Sequence, residues 1–226
     1  MSTTENGHHR SGLFLTLEGL DGSGKTTQAR LLADRFRKEG RQVVETTEPG
    51  GTALGDAIRA LLLGAPASHF SPTAELMLFF AARAQNVDKV IVPALQSGKV
   101  VVCDRFTDSS VAYQGAGRGL GENVVLELER IVCRGLTPDL TLVLDLDPEV
   151  SLRRAAGRIL EEGRFRDRMH QEELGFHRRV RETYLRLARR EPRRFRVIDA
   201  APGIPAVAAR VWEAVTSELA SRSASV

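Results

Sequence analysis

The stretch LFLTLEGLDGSGKTT, residues 13–27, decides how this chain is read. Leu13 to Leu17 is an apolar run of strand length, closed by Glu18. Gly19 to Thr26 then fits G-x-x-x-x-G-K-[ST], and helical periodicity follows to about Lys38. Strand, glycine-rich turn and helix, in that order, form the context in which this spacing cradles phosphates. The glycines let consecutive backbone N–H groups converge on one hollow, and the helix N-terminus adds partial positive charge. Lys25 is placed to reach the β- and γ-phosphates of a nucleoside triphosphate, and the Thr26 hydroxyl to ligate Mg²⁺. The expected ATP-binding set is Gly19, Asp21, Gly22, Ser23, Gly24, Lys25, Thr26 and Thr27.

Outward from this motif, strand and helix patterns alternate. Further apolar runs lie at 42–46, 99–103, 140–144 and 195–198, and helical patterns at 53–63, after Ser71-Pro72, and at 122–134, 148–160 and 170–190. A last helix holds Trp212. Ser71 reads as a helix cap before a first-turn Pro, and Pro93 should bend or break the helix that follows. Continuous apolar strands between helices predict an α/β fold. The expected arrangement is a P-loop, three-layer α/β/α fold with a five-stranded parallel sheet. Right-handed crossovers bring every strand's C-terminal end to one edge, where such sheets bind ligands. The notable polar residues all follow strands: Glu18 to Thr27, Glu48, and Asp104-Arg105.

Composition excludes other classes. The chain has 226 residues, enough for one core, and its 20 Gly and 9 Pro are too few for a fibrous chain. No apolar run is long enough to cross a membrane, and residues 1–10 carry no apolar signal core. Two cysteines without ligand spacing fit a reducing cytoplasm better than a disulfide scaffold. The His residues show no ligand spacing either. Residues 151–196 hold 15 Arg, no Lys and 7 acidic side chains, while the whole chain is only +3. A nucleic-acid binder spreads its basic surface more widely. A local arginine cluster instead suits concentrated phosphate charge.

A phosphate cradle alone does not separate kinases, GTPases and motors. No N-K-x-D guanine-reading segment occurs, and the chain is short for a motor. A small-molecule kinase is the expectation. Phe79 offers a stacking face, and Arg83, at i+4, shares its side of the helix. Arg83 can donate to a keto oxygen such as thymine O4, where cytosine presents an amino group. On its own Phe79 also reads as a core aromatic. Arg105, just after a strand, can hold an acceptor phosphate bidentately. Asp104 reads as a metal-side carboxylate or as a cap for the next helix. Asp145 resembles it, but Asp147-Pro148 reads as a cap and first-turn Pro. Arg59 is a candidate second phosphate ligand. Glu48 is read as positioning its Pro-Gly-Gly loop or Arg105. The glycine-rich run 115–121 lacks G-K-[ST] and reads as a helix exit.

These blocks, in this order, resemble the bacterial thymidylate kinases. The matching segments are 18–27, 47–52, 79–83, Asp104-Arg105, 112–115, 138–141 and 198–200. The resemblance implies transfer of the γ-phosphate of MgATP to dTMP, in a cytoplasmic homodimer serving dTTP synthesis. Neither nucleic acid nor membrane is an expected partner. The implied dTMP site comprises Asp21, Glu48, Arg59, Phe79, Arg83, Arg105, Ser110, Tyr113 and Gln114. Ser110 and Gln114 resemble residues at the base edge. Tyr113 resembles a ring filling the space of a ribose 2′-OH, and Asp21 a carboxylate near the 3′-OH and the metal. Thr26 and Asp104 are the metal candidates. Within this family some members place an Arg in the cradle, whereas others draw the catalytic Arg from a lid. Gly22 puts this chain with the latter. The lid is expected at 153–168, with Lys25, Asp21, Arg158 and Arg168 as catalytic residues and Arg154 behind them. The kinase domain would span 12–220 between short tails, 1–11 and 221–226. The apolar helix face from Leu76 to Ala82 suits a dimer. A kinase of dUMP or dCMP, and a non-catalytic ATP sensor, remain as alternatives.

Overall fold

The computed structural model describes residues 11–64, 70–161 and 172–223. Its centre is one parallel sheet in the order β2-β3-β1-β4-β5. The strands are β1 (Leu13–Gly19), β2 (Val43–Thr47), β3 (Val100–Asp104), β4 (Leu140–Asp145) and β5 (Phe195–Asp199). Every residue of β1 and β3 is buried, which explains their unbroken apolar runs. The helices are α1 (Lys25–Lys38), α2 (Ala53–Gly64), α3 (Pro72–Asn86), α4 (Val92–Gln96), α5 (Thr107–Ser110), α6 (Glu122–Cys133), α7 (Pro148–Glu161), α8 (Leu174–Arg190) and α9 (Ile204–Ser223). The predicted five-stranded parallel sheet is therefore observed; β1 runs two residues past its predicted end, β4 and β5 one, and β2 and β3 are shifted one residue later.

Two helical segments widen to π geometry, Val87–Ile91 and Val111–Gly117. The first replaces the break expected before Pro93. Proline lacks an N–H and clashes with the carbonyl four residues back, and a wider turn accommodates both problems without ending the helix. The second carries Tyr113 and Gln114. The 115–121 run closes as a helix exit, with Gly121 N–H donating to the Gly115 carbonyl at 2.9 Å. Ser71 caps α3 as predicted, its Oγ accepting from Ala74 N–H at 3.2 Å.

One cluster joins β1, β3 and β4 to α1 and α9, where Phe36 meets Trp212 edge-on. On the other face, Phe80, Tyr113, Phe176 and Tyr184 pack α3, the second π segment and α8 together. A polar chain crosses the buried sheet. Thr16 Oγ1 meets Thr141 Oγ1 at 2.9 Å, and Arg194 grips Asp108 through two bonds of 2.6 and 3.0 Å.

Register sets the rim. Leu17 and Thr47 both stand opposite Asp104, so Glu18, Glu48 and Arg105 leave the sheet at one level. The Arg105 N–H donates to the Leu17 carbonyl at 3.0 Å and the Glu48 N–H to the Asp104 carbonyl at 2.9 Å. Among the described residues no helix is long and apolar enough to cross a membrane.

Candidate active site

The cradle is built by left-handed backbone at Gly22 (φ 82) and Gly24 (φ 93), which only glycine adopts at little cost. A Cβ at Gly22 would stand 2.4 Å from the Ser151 carbonyl oxygen, so no larger residue fits that position. The cradle is thereby packed directly on α7, and the Ser151 hydroxyl donates to the Asp21 carbonyl. Lys25 is buried at the start of α1. Its Nζ donates to the Leu20 carbonyl at 2.8 Å and lies 3.9 Å from Asp21 Oδ1. Burial, with the neighbouring Arg105 charge, pulls the Lys25 ammonium down to about 8.

Behind Lys25, the Thr26 hydroxyl donates to Asp104 Oδ2 at 2.6 Å. Asp104 Oδ1 is buried without a partner, and α5 begins without a side-chain cap, so Asp104 is not a helix cap. An orphaned carboxylate oxygen beside a hydroxyl fits a hard cation that keeps most of its water or phosphate ligands, as Mg²⁺ does. Among the described residues no cluster of three His, Cys, Asp or Glu side chains offers an all-protein cage.

Arg105 ties the cradle to the next pocket. Its backbone is left-handed (φ 75), a strained state for a non-glycine residue. Nη2 donates to Asp21 Oδ1 at 2.5 Å and to the Tyr113 hydroxyl at 3.2 Å. Nη1 donates to the Gly19 carbonyl at 3.0 Å and to Ser109 Oγ at 3.1 Å. Ser109 and the Tyr184 hydroxyl in turn donate to Glu18 Oε2 at 2.5 and 2.8 Å, and Phe106 N–H donates to Oε1 at 2.7 Å. Burial and the nearby Asp108 charge push the Glu18 carboxyl up to about 7.

Beyond Arg105 lies a pocket of ≈ 550 Å³, open to solvent and lined by Asp21, Glu48, Pro49, Arg59, Leu63, Phe79, Arg83, Arg105, Ser109, Ser110, Tyr113 and Gln114. All nine residues expected to bind the acceptor line this one pocket. Arg83 is fully enclosed. Its Nε donates to Glu48 Oε2 at 2.6 Å, and Nη2 donates to the Phe106 carbonyl and to Ser110 Oγ, both at 3.1 Å. Nη1 is buried without a partner. Asn86 completes Glu48 through Nδ2, which donates to Oε1 at 3.0 Å. Burial raises the Glu48 carboxyl, and Arg83 opposes that shift. Arg59 donates to the Pro49 carbonyl at 2.9 Å from a side otherwise open to solvent.

Some expectations need correction. Glu48 does not reach Arg105; it pairs with Arg83, because β2 leaves the sheet beside α3. Arg154 donates to the Ala200 and Ala201 carbonyls at 2.9 and 2.8 Å, holding the loop after β5. Asp147 caps α7 as read, and Asp145 pairs with Arg181 at 2.7 Å. Arg158 falls on α7, its side chain outside the description, and Arg168 lies outside the described residues, as does all of 162–168. Glu18, Ser109, Tyr184 and Asn86 had no assigned role. Asn86, at i+3 from Arg83 on α3, was findable by helical spacing; Ser109 was not, because Arg105 stands before α5 with left-handed backbone. Tyr184, 166 positions from Glu18, had no local signal.

The Lys25 environment yields a pH prediction. Its ammonium is charged below pH about 8 and loses the charge above it. The affinity of the free enzyme for ATP should therefore fall from pH 8 upward, approaching about tenfold per pH unit. Titration calorimetry with ATP from neutral to strongly basic pH checks this; a flat affinity across that range would contradict it.

A family model described as thymidylate kinase matches residues 17–211. The thymidylate kinase of Synechococcus sp. (strain JA-3-3Ab) is 51% identical over 208 residues, covering 92% of this chain and 97% of that protein. That of Deinococcus radiodurans is 49% identical over 205 residues, covering 91% and 97%. A crystal structure of thymidylate kinase from Ehrlichia chaffeensis superposes with a TM-score of 0.73 at 34% identity, over 91% of this chain and 98% of that one. With a phosphate cradle and an arginine-anchored pocket joined on one sheet rim, this chain belongs to the thymidylate kinase family.

Proposed function

We propose that the chain transfers the γ-phosphoryl group of ATP to the phosphate of dTMP, giving ADP and dTDP for dTTP synthesis. One observation carries this reading: the cradle and the base-sized pocket meet at the ion pair of Asp21 with Arg105. A triphosphate in the cradle and a monophosphate held by Arg105 then face each other end to end. An acceptor phosphate oxygen attacks the γ-phosphorus, and the bridging bond to ADP breaks. No covalent enzyme intermediate is needed, since alignment and charge cover supply most of the rate.

In this reading the backbone of Gly19 to Thr27 wraps the triphosphate, and Lys25 carries charge on the transferring group. Thr26 and Asp104 would hold Mg²⁺, which when bound neutralises phosphate oxygens. Arg105 grips the acceptor phosphate, with Arg59 behind it. Phe79 stacks on the base. Arg83 brings its one unused group, Nη1, to thymine O4. Ser110 and Gln114 meet the rest of the base edge. Tyr113 fills the space of a 2′-OH, and Asp21 faces the sugar 3′-OH. Arg158 and Arg168 cover the charge of the moving phosphoryl group. The cytoplasm suits two buried free thiols, Cys103 and Cys133.

A homodimer belongs to the same proposal. Leu76 and Ala82 are in the core and unavailable for it. Leu54, Leu61 and Met77 instead expose about half their surface on α2 and α3. Paired across a two-fold axis, these two helices bury that apolar face.

Three measurements test this reading. A coupled ADP-release assay across nucleoside monophosphates should show dTMP as the preferred acceptor, and Arg83→Met should abolish that preference while ATP binding persists. Preference for another base, or an unmoved preference in the variant, would refute it. Replacing the operative lid arginine, Arg158 or Arg168, by Ala should lower kcat about 10³-fold; kcat within twofold of the parent in both variants removes that role. Analytical ultracentrifugation should give a dimer, and Leu61→Asp a monomer; a monomeric parent chain would exclude the interface.

A further inference from the structure

We infer that Glu75 fixes the orientation of the Gln114 side-chain amide, so that the base edge meets a carbonyl and not an amino group. This rests on the dTMP reading above. Glu75 sits on α3, two turns before Arg83, and is 1% exposed. Its Oε1 accepts from Gln114 Nε2 at 2.7 Å. Its Oε2 accepts from Arg118 Nε at 3.1 Å, and Arg118 also pairs with Glu172. A carboxylate has only acceptor sites. With the Arg118 guanidinium meeting its charge, Glu75 offers Gln114 nothing but lone pairs. The amide must therefore turn its NH₂ toward Glu75. Its oxygen is then the group left for the pocket that Gln114 lines.

The consequence is a choice between bases. Thymine presents a keto oxygen at position 4 and an N–H donor at position 3. Cytosine presents an amino group and a bare ring nitrogen. Arg83 Nη1, a donor, reads position 4. A Gln114 oxygen, an acceptor, reads position 3. A flipped amide would set N–H against N–H for thymine, and would suit the cytosine nitrogen. Glu75 is not among the pocket-lining residues, so it acts through Gln114 as a positioning residue.

Glu75→Gln keeps the shape but can offer an N–H, which frees the Gln114 amide to turn. The test is steady-state kinetics with dTMP and with dCMP, for the parent chain, E75Q, Q114A and the double variant. In E75Q the dTMP-over-dCMP ratio of kcat/KM should fall about tenfold, the worth of one hydrogen bond. The fall should come through the dTMP KM, with the ATP KM unmoved. Q114A and the double variant should share one ratio, because Glu75 has nothing left to orient. An unmoved ratio in E75Q, or an equal fall when E75Q is added to Q114A, overturns the inference. Should E75Q fail to fold, Glu75→Asp serves instead: it keeps a negative charge for Arg118 but draws the acceptor back from Gln114 Nε2, and it should lower the same ratio; an unmoved ratio there is equally fatal. A parent chain that does not turn over dTMP sinks the dTMP reading itself, whereas turnover with an unmoved ratio sinks this inference alone.

Discussion

The guanidinium of Arg105 is the constraint on which this rim depends. It is mostly withdrawn from water, and a buried cation is tolerated only when its hydrogens and its charge are matched. Asp21, the Gly19 carbonyl, Ser109 and Tyr113 supply the matches. They come from two stretches, the cradle after β1 and the segment after β3, which the sheet brings side by side. The parallel register of β1 on β3 puts Arg105 directly beside the start of the cradle. Glu18, enclosed under Ser109 and Tyr184, holds the hydroxyls in turn. Strain at the Arg105 backbone is maintained by this surround, and it aims the side chain across the rim and not along it.

A second buried pair, Arg83 with Glu48, does the same for the far side of the pocket. Removing either partner strands the other, which typically costs about 3–5 kcal/mol. Substitutions there therefore act on folding as well as on recognition. The two pairs divide the labour. In the proposed reaction Arg105 is assigned to phosphate, which every nucleotide carries, and Arg83 to the base. Between them the walls are aromatic and rigid, and Tyr113 packs edge-on against Phe176. Pre-set groups of this kind need little rearrangement when charge moves in the reaction.

Much of this was legible in the sequence because its causes are local. Apolar runs gave the strands, and Gly19 to Thr26 the cradle, since spacing alone dictates that turn. Phe79 and Arg83 were paired by helical arithmetic. The rest depended on distant contacts. Glu18 closes an apolar run as any rim residue does, and only Tyr184 on α8 reveals its setting. Asp108 and Arg194 meet inside the fold with nothing in either neighbourhood to announce it. Glu48 was read as positioning its own loop or Arg105, and its pairing with Arg83 was missed, because a sequence does not show that this loop leaves toward α3. Glu75 was given no role, because nothing near it shows that its helix face turns inward. Pro93 signalled an interruption but not its form.

The central claim is that a triphosphate and a pyrimidine monophosphate lie end to end across Arg105. The most direct measurement is calorimetric binding of a ligand that joins adenosine and thymidine through one chain of phosphates. The account predicts binding far tighter than that of ATP or dTMP alone, competition with both, and a large loss in Arg105→Ala and in Lys25→Ala. A ligand that binds no more tightly than one of its halves, or displaces only one nucleotide, would contradict it.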